Sequence, residues 1–367
     1  MLKRVGRLVL VAMAICGWLS CGKDTKFSST NTMYVASQNA AQVWGYHANF
    51  NNGSLTPING SPFAAEPASA ILIDPSQTFA YLASARSNNI LRFSFDLNGS
   101  LIPVTGNPVT AGTNPVAMAM DSAGKFLFVA NQGSGDISVF AVASGASLTP
   151  VAGSPFSVAG SQSASSPAAL AINPSGNFLY VIDQNNNVVV TYQVDSNTGA
   201  LFNSNPNVLQ PVLTGTAPGA IAVNPGGSFL YVANSGSNNV SGYKINTDGS
   251  LTAMDKSPFA AELGPVSLAI DPSGQFLYVV NRNSNQISGY RITSGSGDLS
   301  PTGGSPYNTG TGPLFVAISP TNKYLYVSNN SAASLSGYSI DAAGGALGPV
   351  SPTVTTAVQP AGIAFGK

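Results

Sequence analysis

The sequence predicts an all-β fold, a seven-bladed β-propeller built from four-stranded antiparallel blades. Three observations carry that prediction. A unit of 47 to 52 residues recurs, marked by a proline at 67, 115, 167, 218, 265, 313 and 360. Inside each unit, short apolar and β-branched runs alternate with turn residues, as strands do. The last proline is followed only by Ala361 to Lys367, whereas Met33 to Phe63 begins in mid-unit. Six full units and one divided between the two ends make seven, and such a period signals a repeat architecture.

The unit at Pro218 to Phe259 shows each element. Its first strand alternates Ala220 and Ala222 with Ile221 and Val223, apolar throughout, so both faces are expected to be buried. A tight turn follows: DPSQ at 74, DSAG at 121, NPSG at 173, NPGG at 224, DPSG at 271 and SPTN at 319. Proline sets φ at the second turn position, and Asp or Asn bonds back to the backbone. That chemistry also explains Asp74, Asp121 and Asp271, which sit one per unit and do not converge as metal ligands would. The second strand is aromatic and β-branched, as in FLYVAN at 229 and FLFVAN at 126. The third ends in an aromatic residue: Tyr46, Phe93, Phe140, Tyr192, Tyr243, Tyr290 and Tyr338. The next position is mostly polar and outward-facing, and His47, the only histidine, belongs to that series. The fourth strand, SLTP-like, runs on to SPF or SPY.

A lone four-stranded sheet cannot bury both faces, whereas seven packed around an axis can. Closure removes the loose seam that would expose sheet edges. The C-terminal strand, 360–367, is therefore expected to complete the N-terminal blade of 33–63, giving one domain over 33–367.

Upstream, residues 1–20 have the three parts of an export signal. Lys3, Arg4 and Arg7 precede an apolar run from Leu8 to Leu19, too short to span a bilayer. Ser20 then precedes Cys21, which resembles a bacterial lipoprotein signal with Cys21 as the lipidated residue, although Trp18 stands where Leu is usual. An ordinary cleaved signal is the alternative. With Cys16 inside the apolar run, the mature body has no thiol or disulfide chemistry. Residues 21–32 read as a polar tether.

Charged residues are 8% of the chain, about a third of the usual share. Fourteen Lys and Arg balance fourteen Asp and Glu, and no basic run exists, which excludes a nucleic-acid binder. The chain lacks a G-x-S-x-G elbow, a His or Cys pair with metal spacing and a phosphate-cradling glycine loop, so no cofactor or metal is expected.

Strand direction divides the loops between two faces. The DPSG-type turns lie on one, here the turn face. The loops leading into each first strand and those after each second strand share the other, the entry face. The two glutamates, Glu66 and Glu262, fall in entry loops, and Arg86 and Arg282 follow second strands. These four are the catalytic candidates at the channel mouth. Asn131, Asp183, Asn234, Asn281 and Asn329, which end second strands, are the binding candidates, although an Asn there also serves as a turn cap.

The repeat resembles the seven-bladed lactonase-family propellers, which include 6-phosphogluconolactonase-type and carboxymuconate-cyclase-type enzymes. The matching pieces are PVSLAIDPSGQFLYVVN at 265 and GASLTPVAGSPF at 145, and the YVAN-type strands are similar to those of YVTN-repeat surface proteins. The resemblance covers residues 33–367. It implies chemistry at a channel mouth carrying His, Arg and Glu. This chain has no histidine on the entry face, so Glu66, Arg86, Glu262 and Arg282 would have to serve.

The first functional expectation is an exported, lipid-anchored propeller acting as a binding or scaffold module at the cell envelope. Its partner would be a small ligand, a glycan or an envelope protein, with membrane contact only through the anchor, and the protein would be a monomer. The alternative is a lactonase hydrolysing a sugar lactone or related cyclic ester.

Overall fold

The computed structural model describes residues 31–158, 164–203, 210–356 and 359–366. The export pattern and Cys21 lie outside these residues. Seven antiparallel sheets form, and in blades 2 to 7 the strands run in chain order from the axis outward. The first strands of consecutive blades pack side by side around the axis, and Pro360–Gly366 packs between those of blades 7 and 2. In blade 1, Thr32–Ser37 is followed by Gln42–Ala48 and Leu55–Pro57, and Pro360–Gly366 pairs with Thr32–Ser37. The ends of the propeller are thus joined inside one sheet.

The second strands form the core. Phe229–Asn234, Phe276–Asn281 and Tyr324–Asn329 are buried at every residue. Alternate residues face opposite neighbours, so Tyr231 packs with Leu268 and Leu277 of the next blade, while Leu230 packs with Tyr180 and Ile182 of the previous one. The turns behave as their residues require. Asp271 Oδ1 accepts from the N–H groups of Gln275 and Phe276, both at 2.7 Å. The fourth position is left-handed even where it is Gln77 or Asn322.

The first strands pack on both faces, as expected: Ala220 and Ala222 pack into the cluster shared with blade 6, and Ile221 and Val223 into the one shared with blade 4. Most residues of Pro218–Val223 are only half-buried, because the edge left unpaired by the second strand borders the central channel. One expectation needs correction: the fourth strand is broken in blades 1 to 6. In blade 5, Leu251–Ala253 and Phe259–Ala260 both pair with the third strand, leaving a gap between them. Ser257 fills it, its Oγ accepting from Gly242 N–H at 2.9 Å, so the unpaired donor is satisfied. Ser61, Ser154 and Ser305 repeat the device. Blade 7 instead keeps one outer strand, Leu347–Thr355.

Two sets of tyrosines tie blade to blade. From the second strands, Tyr34, Tyr180, Tyr231, Tyr278 and Tyr326 each donate to a carbonyl in a turn of the next blade: Gly99, Gly249, Gly297, Gly345 and Gly53. From the third strands, Tyr192, Tyr243, Tyr290 and Tyr338 reach back to the outer strand of the preceding blade. Blade 2 departs from this pattern. The equivalent carbonyl, Ala146 O, accepts instead from the buried Arg92 guanidinium at 3.0 Å. Arg92 also binds Asn107, Thr105 O and Gly106 O, so its charge is met by oxygens alone. Burial lowers its pKa from the ordinary arginine value.

Candidate functional site

The entry face is held by an asparagine after each of four second strands. Asn88, Asn187, Asn238 and Asn285 are left-handed, with φ between 53° and 59°, a conformation that Asn tolerates better than most residues. Each one grips the loop entering the next blade. Asn238 O accepts from Ala261 N–H at 3.1 Å, and its Oδ1 accepts from Gly264 N–H at 2.8 Å. Asn88, Asn187 and Asn285 do the same for Asn114, Ala217 and Gly312. These four entry loops are therefore pinned to the blades before them.

The predicted binding residues are buried under the rim of the mouth. Asn131, Asp183, Asn234, Asn281 and Asn329 are each 0% exposed. Asn131 Nδ2 donates to Asp136 and Ser138, Asn234 Nδ2 to Asn239 and Ser241, and Asn329 Nδ2 to Ser334 and Ser336. Asn281 Nδ2 bonds Ser288, and Asp183 accepts from Ser166 N–H and from Asn186. Their side chains serve the second-to-third-strand turns.

The next position forms the rim itself: Gln38, Gln132, Gln184, Ser235, Arg282 and Asn330. Asn114 donates to Gln132, Gln132 to Gln184 at 3.5 Å, and Gln184 to Pro218 O at 3.1 Å, a chain of carboxamides crossing three blades. Asn330 donates to Pro360 O at 3.0 Å. Arg282 is exposed and is the charged member of this set. The position just past each second strand could have revealed this ring, and the offsets of one to three residues after most of the repeat prolines the channel wall; terminal asparagines were the stronger but more structural signal.

The four catalytic candidates divide into two places. Glu66 and Arg86 belong to blade 2, and Glu262 and Arg282 to blade 6, with blades 3 to 5 between them on one side and blades 7 and 1 on the other. Among the described residues the one ion pair is Lys256 with Asp298, so none of the four is paired to another. Glu262 lies close enough to Tyr290 to help raise that phenol's pKa, after burial, which places Glu262 beside the seam of blades 5 and 6. Glu66 directly precedes Pro67, and its Oε2 is buried with no hydrogen-bond partner. Arg86 stands two residues beyond the end of its second strand and donates to Asn39 Oδ1 of blade 1 at 2.8 Å. Asn39 in turn donates to Gln359.

Beneath the rim lies a cavity of about 400 Å³ on the axis, walled by all seven first strands. Among the described residues, no group of three or more His, Cys, Asp or Glu could hold a metal ion.

The family model of the seven-bladed β-propeller lactonases matches residues 25–158, 155–213 and 204–316. The chain belongs to the lactonase family. Among solved structures, this lactonase-family propeller is similar to a Bacteroides fragilis protein provisionally named a 6-phosphogluconolactonase. The two are 22% identical with a TM-score of 0.82, over 94% of this chain and 99% of that one. A periplasmic gluconolactonase of Pseudomonas aeruginosa is 20% identical with a TM-score of 0.79, over 92% and 99% of the two chains. These likenesses speak for the fold. No curated protein sequence matches this lactonase-family chain.

Proposed function

We propose that this protein is a lactone hydrolase working at the entry-face mouth of its channel, a reading that displaces the pure scaffold. Family membership supports it, and the observation that carries it is Glu66 Oε2: of the buried side-chain oxygens and nitrogens without a hydrogen-bond partner among the described residues, it alone belongs to a carboxylate. Buried polar atoms are nearly always satisfied, and an exception invites a chemical role.

The steps follow from the groups. Arg86, or Arg282 on the rim, draws electron density from the lactone carbonyl and stabilises the oxyanion. Glu66 takes a proton from water as its oxygen bonds to the carbonyl carbon. The ring C–O bond then breaks, and the proton passes from Glu66 to the departing alkoxide, leaving an open-chain hydroxy acid. Asn39 positions Arg86. Glu66→Gln keeps the shape and removes the base. It is expected to lower kcat by about 100-fold or more on a lactone that the native protein cleaves. Undiminished kcat in that variant would overturn the assignment.

The envelope setting belongs to the same proposal, supported by the signal pattern and Cys21. Metabolic labelling with a fatty acid, lost in Cys21→Ala, tests the anchor.

A further inference from the structure

On the turn face, one seam between blades is open where the next is spanned. In blade 6, Arg291 is the cross-strand partner of Phe276, so the two side chains share a face. The guanidinium lies over the Phe276 ring at 5.0 Å and donates to Ala343 O of blade 7. Blade 5 repeats the arrangement. Lys244 is the cross-strand partner of Phe229, which packs against blade 6, and Gly295 is the counterpart of Ala343. Among the described residues, however, the Lys244 ammonium makes no hydrogen bond or ion pair. Lys244 and Gly295 line instead a groove of about 530 Å³, within the roughly 300–1,000 Å³ of small-molecule sites.

Lys244 is the one charged side chain in that lining. The carboxylates next to the lining in the chain are committed elsewhere. Asp298 pairs with Lys256 at 3.1 Å, Asp271 accepts from Gln275 N–H, Ser273 and Asn322, and Asp248 accepts from Ser250 within its own turn. Beside the ammonium stand groups that both donate and accept. The Gln275 carboxamide and the Ser294 hydroxyl line the groove and hold no bond among the described residues. Phe229 and Ile292 supply carbon surface.

A cation would be repelled there, and a dianion would find half its charge unmatched. A monoanion answers the ammonium through a charge-assisted hydrogen bond, and hydroxyls answer Gln275 and Ser294. We infer that this groove binds a hydroxylated carboxylate, a sugar acid in class, with its carboxylate on Lys244 Nζ and its hydroxyls on Gln275 and Ser294. The site lies on the face opposite the mouth and does not rest on the hydrolase reading. A free sugar acid and the terminal uronic residue of a polysaccharide present the same chemistry.

Calorimetric titration of the mature protein with glucuronate, glucose, hexanoate and a galacturonate trimer tests the site. Glucuronate is expected to bind saturably, with glucose and hexanoate about ten-fold weaker or more, because each lacks one half of the recognised chemistry. Lys244→Gln should weaken glucuronate binding by about ten-fold or more, the loss of one charge-assisted hydrogen bond. Ser294→Trp fills the groove and should remove binding. Both positions are exposed, so both variants should keep the native thermal midpoint. Binding of the monomer alone identifies a soluble acid, and binding of the trimer identifies a polysaccharide end; either sustains the site. No saturable binding of monomer or trimer, equal affinity for glucose or hexanoate, or affinity unchanged in both variants would overturn the inference.

Discussion

Tyr326 Oη donates a hydrogen bond of 2.9 Å to Gly53 O, 273 residues away in sequence. The bond crosses from blade 7 to blade 1, where the ring closes. It is the same bond that Tyr231 makes to Gly297 within the chain's continuous run. The closure is thus chemically equivalent to the other seams.

Removing that hydroxyl should therefore cost what it costs elsewhere. Tyr326→Phe leaves Gly53 O buried without its donor, and about 1–3 kcal/mol of stability should be lost. Tyr231→Phe should lose a similar amount. Urea unfolding of both variants checks this. A seam that is weaker than its counterparts would show as a much smaller loss for Tyr326→Phe.

The acceptor side has its own constraint. Gly297 has φ +78°, and a β-carbon there would lie 2.6 Å from the Phe229 ring. Gly297→Ala combines backbone strain with overpacking and should cost about 2–4 kcal/mol. Gly303→Ala, where a β-carbon meets nothing within 4 Å, should stay within about 0.5 kcal/mol of the native protein. Thermal midpoints of the pair make the comparison.

Deleting residues 359–367 takes away the strand paired with Thr32–Ser37. It uncovers one edge of that strand and the apolar side chains of Met33 and Val35, which pack against Ile363. The truncated chain should lose its single cooperative transition in calorimetry. A transition of unchanged midpoint and enthalpy would show that closure is dispensable.

The buried tyrosines also set an alkaline limit. Burial pushes Tyr34 and Tyr46 from 10.0 up to about 12, and Tyr81, Tyr180, Tyr231, Tyr278 and Tyr326 higher still. The sign follows from linkage. Above about pH 10 the unfolded chain releases these protons while the folded ring retains them, so stability is complete below that pH and falls as pH rises. Urea midpoints should be level near about pH 8 and drop steeply by about pH 11. Tyr231→Phe should flatten the drop.

Much of this was legible in the repeat. The prolines, the DPSG-type turns and the aromatic strands gave the blade order, because strand period and turn chemistry are local properties. The interrupted fourth strand was not legible, since Ser257 acts by filling a ladder gap that exists only once the third strand lies beside it. Arg92 was not visible either: in sequence it is an outlier at a position that is often glycine, and only its carbonyl partners in blades 2 and 3 explain it. At the mouth, sequence grouped Glu66, Arg86, Glu262 and Arg282 by face, which strand direction determines. It had no means of separating blade 2 from blade 6 in space, or of finding the unpartnered Oε2 of Glu66.

By itself, then, the sequence determined the number of blades, their strand order, the turn types and the division of its ends between the two sides of one sheet. Each of these depends on residues close together in the chain or on counting a period. The tertiary structure alone decided that the unpaired edges of the first strands would border an open channel, which hydroxyls would be consumed by neighbouring blades, and which carboxylate oxygen would be left over. Those outcomes depend on what stands opposite a side chain after the ring closes, and closure brings together residues as distant as Tyr326 and Gly53.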